Sequence, residues 1–344
     1  VTRIVIHVGS HKTGTTYLQQ GFVALREPLR TAGIDYPVEW QDHLHGHHSL
    51  VRMLASGDAA TPARLAGLAE QAGREGRGIL FSSENFEDLD DASVARLASA
   101  LQGHAVEIVF FARRWPGLLP SAWQEQVKQG GSETYPQFLL THLAQPSDSR
   151  LLNPMRVLGR YADAFGGNAM RLVAYDRVID GGEDLLAFFL QTLLGVPIVP
   201  PTRGKRVNGA LPAVDIEIIR LLNAMARRWK GSVPGGVWPM KLFYELGGQG
   251  LPAIAVLRTA LRPFVTRCGV PDDLAALREI ELQTIDRFGI ELPTNGSMAA
   301  RAPGPSAAGE HVAGEYWMDP LVPPAFAELR DAVRRRHAEI ALAA

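Results

Sequence analysis

The chain runs to 344 residues, of which 46% are hydrophobic and 21% charged, enough apolar surface for one large core or two modest ones and too much for a chain disordered throughout. Lys plus Arg number 35 against 36 Asp plus Glu, a formal charge of -1, which excludes the whole-surface attraction of a general nucleic-acid binder and makes any affinity for an anion local. The single cysteine, Cys268, excludes an internal disulfide framework and a cysteine-rich zinc module.

The sequence opens on Thr2-Arg3-Ile4-Val5-Ile6 without a basic n-region, and nowhere do about 18 apolar residues run together, so a cytoplasmic protein with no membrane span is expected. Residues 4–8 read as a first strand. Leu18, Phe22, Leu25 and Leu29 recur at steps of four, three and four, one apolar helix stripe, with Pro28 breaking its last turn. A short strand over 33–36 precedes Pro37, and Leu65, Leu68 and Ala72 mark a second helix. Strands follow at 79–82 and 106–112; in the latter Val109, Phe110 and Phe111 are apolar on consecutive residues, so both faces should be covered. A helix carrying Leu158, Ala162 and Phe165 leads to a strand at 171–175, and 185–194 is a buried helix. This alternation predicts the α/β class: a parallel sheet of about five strands with helices on both faces.

Beyond about Pro200 the strands should stop. Helical patterns occupy 216–229, 253–265, 272–288 and 326–340. The stretch 231–250 is loop-like but carries Trp238, Met240, Phe243 and Tyr244, which suits a packed lid. Residues 292–324, rich in Pro, Gly, Ala and Ser, read as a long loop. The expected organisation is an α/β core over 1–210 and a mostly helical annex over 211–344.

The first strand runs into Gly9-Ser10-His11-Lys12-Thr13-Gly14-Thr15-Thr16 and then into the Leu18 helix. Strand, glycine loop and helix cradle phosphate because amides at a helix N-terminus point at the anion and glycines permit close approach. Gly9, Gly14 and Thr16 fall where the nucleotide triphosphatase P-loop has its glycines and hydroxyl, but Thr15 takes the lysine slot and the lysine comes earlier, at Lys12. A lysine there faces a different part of the ligand, and the loop suits a single 5′-phosphate.

The run Lys12-Thr13-Gly14-Thr15-Thr16-Tyr17 resembles the 5′-phosphosulfate loop of sulfotransferases that use 3′-phosphoadenosine 5′-phosphosulfate (PAPS), and its HKTGTT form, beginning at His11, is similar to their bacterial branch. Arg113 at the end of the 106–112 strand, with Ser121 on the next helix, resembles the family's 3′-phosphate motif; a guanidinium offers a planar fork to phosphate oxygens. The resemblance further implies adenine contacts from Tyr17 and Tyr175 and a basic loop over the 3′-phosphate at Lys205 and Arg206. The KGxxGDWK form of the cytosolic eukaryotic relatives is absent. The resemblance covers residues 1 to about 210 and implies a P-loop-type sheet, PAPS as donor, adenosine 3′,5′-bisphosphate as product, and no required metal.

Sulfuryl transfer needs a cation to meet charge on the leaving phosphate oxygen and a base for the acceptor's proton. Lys12 is the candidate for the first role. For the second, Glu84 stands at the carboxyl end of the 79–82 strand, where ligands of open α/β sheets gather. Its rivals are histidines: His11 in the loop, and His43, His45, His47 and His48, of which His48 is carried as a catalytic candidate. His45-Gly46-His47 is similar to the histidine pair of glycan 2-O-sulfotransferases. Beyond Asp42 no cysteine or acidic cluster accompanies these histidines, so no metal site is expected. The acceptor is expected to be a small molecule, a glycan or a lipid. A magnesium-dependent P-loop small-molecule kinase and a non-catalytic nucleotide-binding protein remain open; against the kinase, the central strand ends in Arg113 rather than an aspartate.

Overall fold

A computed structural model describes residues 1–200, 211–227, 238–271, 273–292 and 309–343. Short β-rich runs become strands where expected: β1 (Arg3–His7), β2 (Ile34–Asp35), β3 (Gly78–Ser82), β4 (Ala105–Ala112) and β5 (Met170–Ala174). They form one sheet in the order β2-β3-β1-β4-β5. All pairs are parallel, with Ile4 opposite Ile79 and Val106, and Phe110 opposite Leu172. The period-two alternation divides the core cleanly. Ile4, Ile6, Phe81, Ile108 and Phe110 face one helical layer with Leu54, Leu65, Val94 and Leu158. Val5, Leu80, Val109 and Phe111 face the other with Leu18, Phe22, Leu185 and Phe189. Both faces are therefore dry, which explains the consecutive apolar residues of β4.

The helix after β1, Thr15–Ala24, ends one residue before a second short helix, Arg26–Thr31, begins, so the break comes at Leu25 rather than at Pro28. Leu185–Phe188 is a single α turn that continues as a π turn over Phe189–Leu193.

The chain divides into two compact units that do not part at residue 210. The first takes Val1–Arg114, Gln145–Val207 and Asp273–Ala302; the second takes Trp115–Ala144, Asn208–Asp272 and Pro303–Ala344. The physical reasons are local. Helix Trp115–Lys128 is held in the second unit by Asn223, whose amide donates to Val127 O and Gly131 O at 2.7 and 2.8 Å. In the first, Glu291, beyond helix Ala275–Phe288, extends the edge of β5 by donating its N–H to Leu172 O at 2.7 Å.

The second unit corrects the expectation that strands stop at Pro200. β6 (Val265–Cys268) pairs antiparallel with β7 (Gly309–Val312), the latter inside the stretch expected to be loop. Residues 293–308 of that stretch lie outside the described residues. Trp238–Gly248 is helical rather than loop-like, and Phe243 is fully buried in it. Helix Ala213–Ala226 is buried on nearly every side, and its charges are paired within the unit. Arg258 holds Asp215 through two bonds of 2.7 and 3.0 Å, and Arg220 holds Glu217 at 2.8 and 2.6 Å. Tyr316 also donates its hydroxyl to Glu217. Among the described residues no helix is long and apolar enough to cross a membrane.

Candidate active site

From β1 the chain crosses β3 to reach β2 at one edge, whereas from β4 it passes to β5 on the opposite side. The carboxyl ends of β1 and β4 thus flank the point where the winding reverses, the place where open α/β sheets receive ligands. The loop after β1 is fixed there by β4: Val8 N–H donates to Val109 O at 2.9 Å and Phe111 N–H to Gly9 O at 2.8 Å. Gly9 at φ 122 and Gly14 at φ 78 adopt backbone conformations that side chains disfavour. At Gly14 a Cβ would also lie 2.8 Å from Leu185, so only glycine fits.

Lys12 takes the left-handed region too, at φ 67, a costly choice for a lysine. Arg113 braces it: Nη1 donates to the Lys12 carbonyl at 2.6 Å. Thr13 is buried, its hydroxyl donating to Ser10 O at 2.5 Å. Gly14 is the N-cap of helix Thr15–Ala24 with no side chain capping it, the arrangement in which helix amides serve an anion. His11, Lys12, Thr13, Gly14, Thr15 and Thr16 therefore share one turn. Tyr17 follows, its hydroxyl donating to Asp184 Oδ2 at 2.7 Å, while Asp184 Oδ1 caps helix Leu185–Phe188. The Arg113 guanidinium lies over the Tyr175 ring, 5.4 Å from its centroid, so Tyr175 belongs to the same edge. Arg114 donates its backbone N–H to Asp176 at 2.6 Å and pairs with Glu281 at 3.2 Å. Ser121 is half-buried on helix Trp115–Lys128 of the second unit, and Lys205 and Arg206 lie outside the described residues.

The end of β3 supplies the acids. Glu84 opens a 3₁₀ turn, Glu84–Asp88, whose N-cap Ser83 accepts the Asn85 N–H. Gln19, buried on the loop helix, donates to Glu84 Oε2 at 3.0 Å. His48 bonds Ser83 Oγ through Nδ1 at 2.6 Å, and its buried Nε2 faces Glu84 Oε2 at 3.9 Å, with no hydrogen-bond partner among the described residues. The two rival bases of the sequence are thus neighbours. The other histidines separate. His43 and His45 are exposed, whereas His47 is buried, accepting Ser82 N–H at Nδ1 (3.1 Å) and facing Pro37 O through Nε2 (3.0 Å). Burial pushes the His47 imidazole down to about 4 and that of His7, in β1, down to about 3, so both are neutral struts of the β3 end. Among the described residues no group of three or more His, Cys, Asp and Glu is placed to hold a metal ion.

Glu87 and Gln19 belong to this site although no spacing in the sequence singled them out. Glu87 Oε1 lies 3.3 Å from His11 Nε2, and Asp88, paired with Arg150 at 3.5 Å, lies 4.0 Å from the same nitrogen. Burial raises the Glu87 carboxyl to about 7, with the Asp88 charge adding to it and His11 opposing. Burial pulls the His11 imidazole down, but the bond to Asp88 and the charges of Glu87, Glu84 and Asp88 outweigh it, and the net shift is upward. The visible signal was the acidic run Glu84, Glu87, Asp88 directly after a strand; Gln19, next to Gln20 on the loop helix, carried none.

No protein-family model matches the chain, and no curated protein matches it. Among solved structures it is similar to the crystal structure of a sulfotransferase from Alicyclobacillus acidocaldarius, at 16% identity over 65% of this chain and 91% of that one, with a TM-score of 0.38. At that score the likeness carries no argument, and the fold rests on the strands and their register.

Proposed function

We propose that this protein is a sulfotransferase that moves the sulfuryl group of PAPS to a hydroxyl or amine of a small-molecule, glycan or lipid acceptor by direct in-line displacement. The observation that carries the reading is a convergence at one sheet edge. A glycine-bounded loop with its lysine early in the turn leaves β1, an arginine bonded to that lysine's carbonyl leaves β4, and a carboxylate leaves β3. PAPS would supply the activated sulfuryl group. Residues His11, Lys12, Thr13, Gly14, Thr15 and Thr16 would hold its 5′ end, and Arg113, Lys205 and Arg206 its 3′-phosphate. Tyr17 and Tyr175 would flank the adenine; the Tyr17 hydroxyl is held by Asp184. Lys12 meets the charge on the leaving phosphate oxygen, and Glu84, oriented by Gln19 and neighboured by His48, takes the acceptor's proton. The lysine and the loop amides do the neutralising, so no metal is required. The HKTGTT form and the lone cysteine favour a bacterial, cytoplasmic setting.

The test is a thermal-shift series with adenosine 3′,5′-bisphosphate, AMP, and ATP with magnesium, followed by a transfer assay in EDTA. At one common ligand concentration the stabilisation grows with concentration over Kd, reaching about 2.7 kcal/mol at one hundred times Kd, so the shifts rank the nucleotides by affinity without knowing the acceptor. The bisphosphate should give the largest shift. A largest shift with ATP and magnesium would instead support a kinase.

A further inference from the structure

The loop already holds a carboxyl of its own. Glu87 Oε2 sits 3.1 Å from where a Cβ on Gly9 would be, Oε1 faces His11 Nε2 at 3.3 Å, and the carboxyl accepts the His11 backbone N–H. An acidic group therefore lines the turn whose amides serve an incoming oxyanion. Among the described residues, His11 comes from the loop, Asp88 and Glu84 from the same 3₁₀ turn, Arg150 acts on both Glu87 and Asp88, and helix Met155–Phe165 brings Tyr161 toward Glu87 and Arg160 toward Asp88. With two further carboxylates on that turn, a second anion on the loop leaves Glu87 either displaced or neutralised.

We propose that Glu87 binds the donor's anionic end in its protonated form, donating its O–H to an oxyanion oxygen, so that donor binding takes up a proton from solvent. The inference rests on the loop being the donor site of the proposed function. Burial has already brought the carboxyl to about 7, and an added negative charge moves it further in the same direction. A group whose pKa rises on binding makes affinity greatest below its free value. Affinity then falls about tenfold per pH unit until the bound value is passed.

The experiment is isothermal titration calorimetry with PAPS from about pH 8 to 9, where its own groups are ionised, in two buffers of different ionisation enthalpy. The difference in heat counts protons directly. The wild type should take up close to one proton at about pH 8, and Glu87→Gln should bind with that uptake and the pH slope abolished. His11→Gln should keep the uptake and move it to higher pH, because the imidazole opposes the rise in the Glu87 pKa. Binding without proton uptake, or an unchanged uptake in Glu87→Gln, overturns the assignment and leaves the proposed function standing. A wild type that does not bind PAPS overturns both.

Discussion

Lys12 and Glu84 divide the proposed chemistry between them, and substitution should separate their effects. Lys12→Ala should lower kcat by about 100-fold or more, because charge on the leaving oxygen loses its cation, as steady-state assays with PAPS would show. Glu84→Gln should lower kcat by about 10²- to 10⁴-fold while calorimetry finds bisphosphate binding retained, since the amide still accepts from Gln19 but cannot take a proton. The loop residues were legible because glycines, lysine and threonines are contiguous, and Glu84 because it ends a recognisable strand. Gln19 and Glu87 were not. Gln19 meets Glu84 across 65 positions of chain, and Glu87 meets the loop only because β3 and β1 are neighbours in the sheet. The same folding splits the His45-Gly46-His47 pair, leaving one side chain in solvent and burying the other against Ser82.

At the level of elements, the five parallel strands were readable because each is a short β-branched or aromatic run between helical periods. The β6–β7 pair was hidden: its partners Val265 and Val312 are distant in sequence, and β7 lies in a Pro- and Gly-rich stretch. Helix Trp238–Gly248 was masked by the glycines on either side of its apolar residues. The turn between β1 and its helix yields a sharper expectation. Gly14→Ala would place a methyl against Leu185 in a left-handed backbone, so denaturant melts should show a loss of roughly 1–3 kcal/mol together with weakened nucleotide binding.

For the whole molecule, the buried histidines set an acid limit. His7 and His47 are fully buried, with imidazoles held near 3 and 4 against 6.5 in an unfolded chain. Below 6.5 the unfolded state binds more protons, so stability is fully present above that pH and is lost as pH falls toward the folded values. Chemical denaturation at pH 7 and 5 should differ by roughly 2 kcal/mol for each histidine, and His47→Gln should remove its share of that difference. The two compact units are each assembled from three separated stretches of chain. Asn223 closes its bond to Val127 only after a further 96 residues have been made, so the helices before it must wait for their partners as the chain emerges from the ribosome. A protein threaded in this way cannot be divided into two expressible halves by one cut, and its nascent form presents Trp123 and Phe138 to chaperones before either unit is complete.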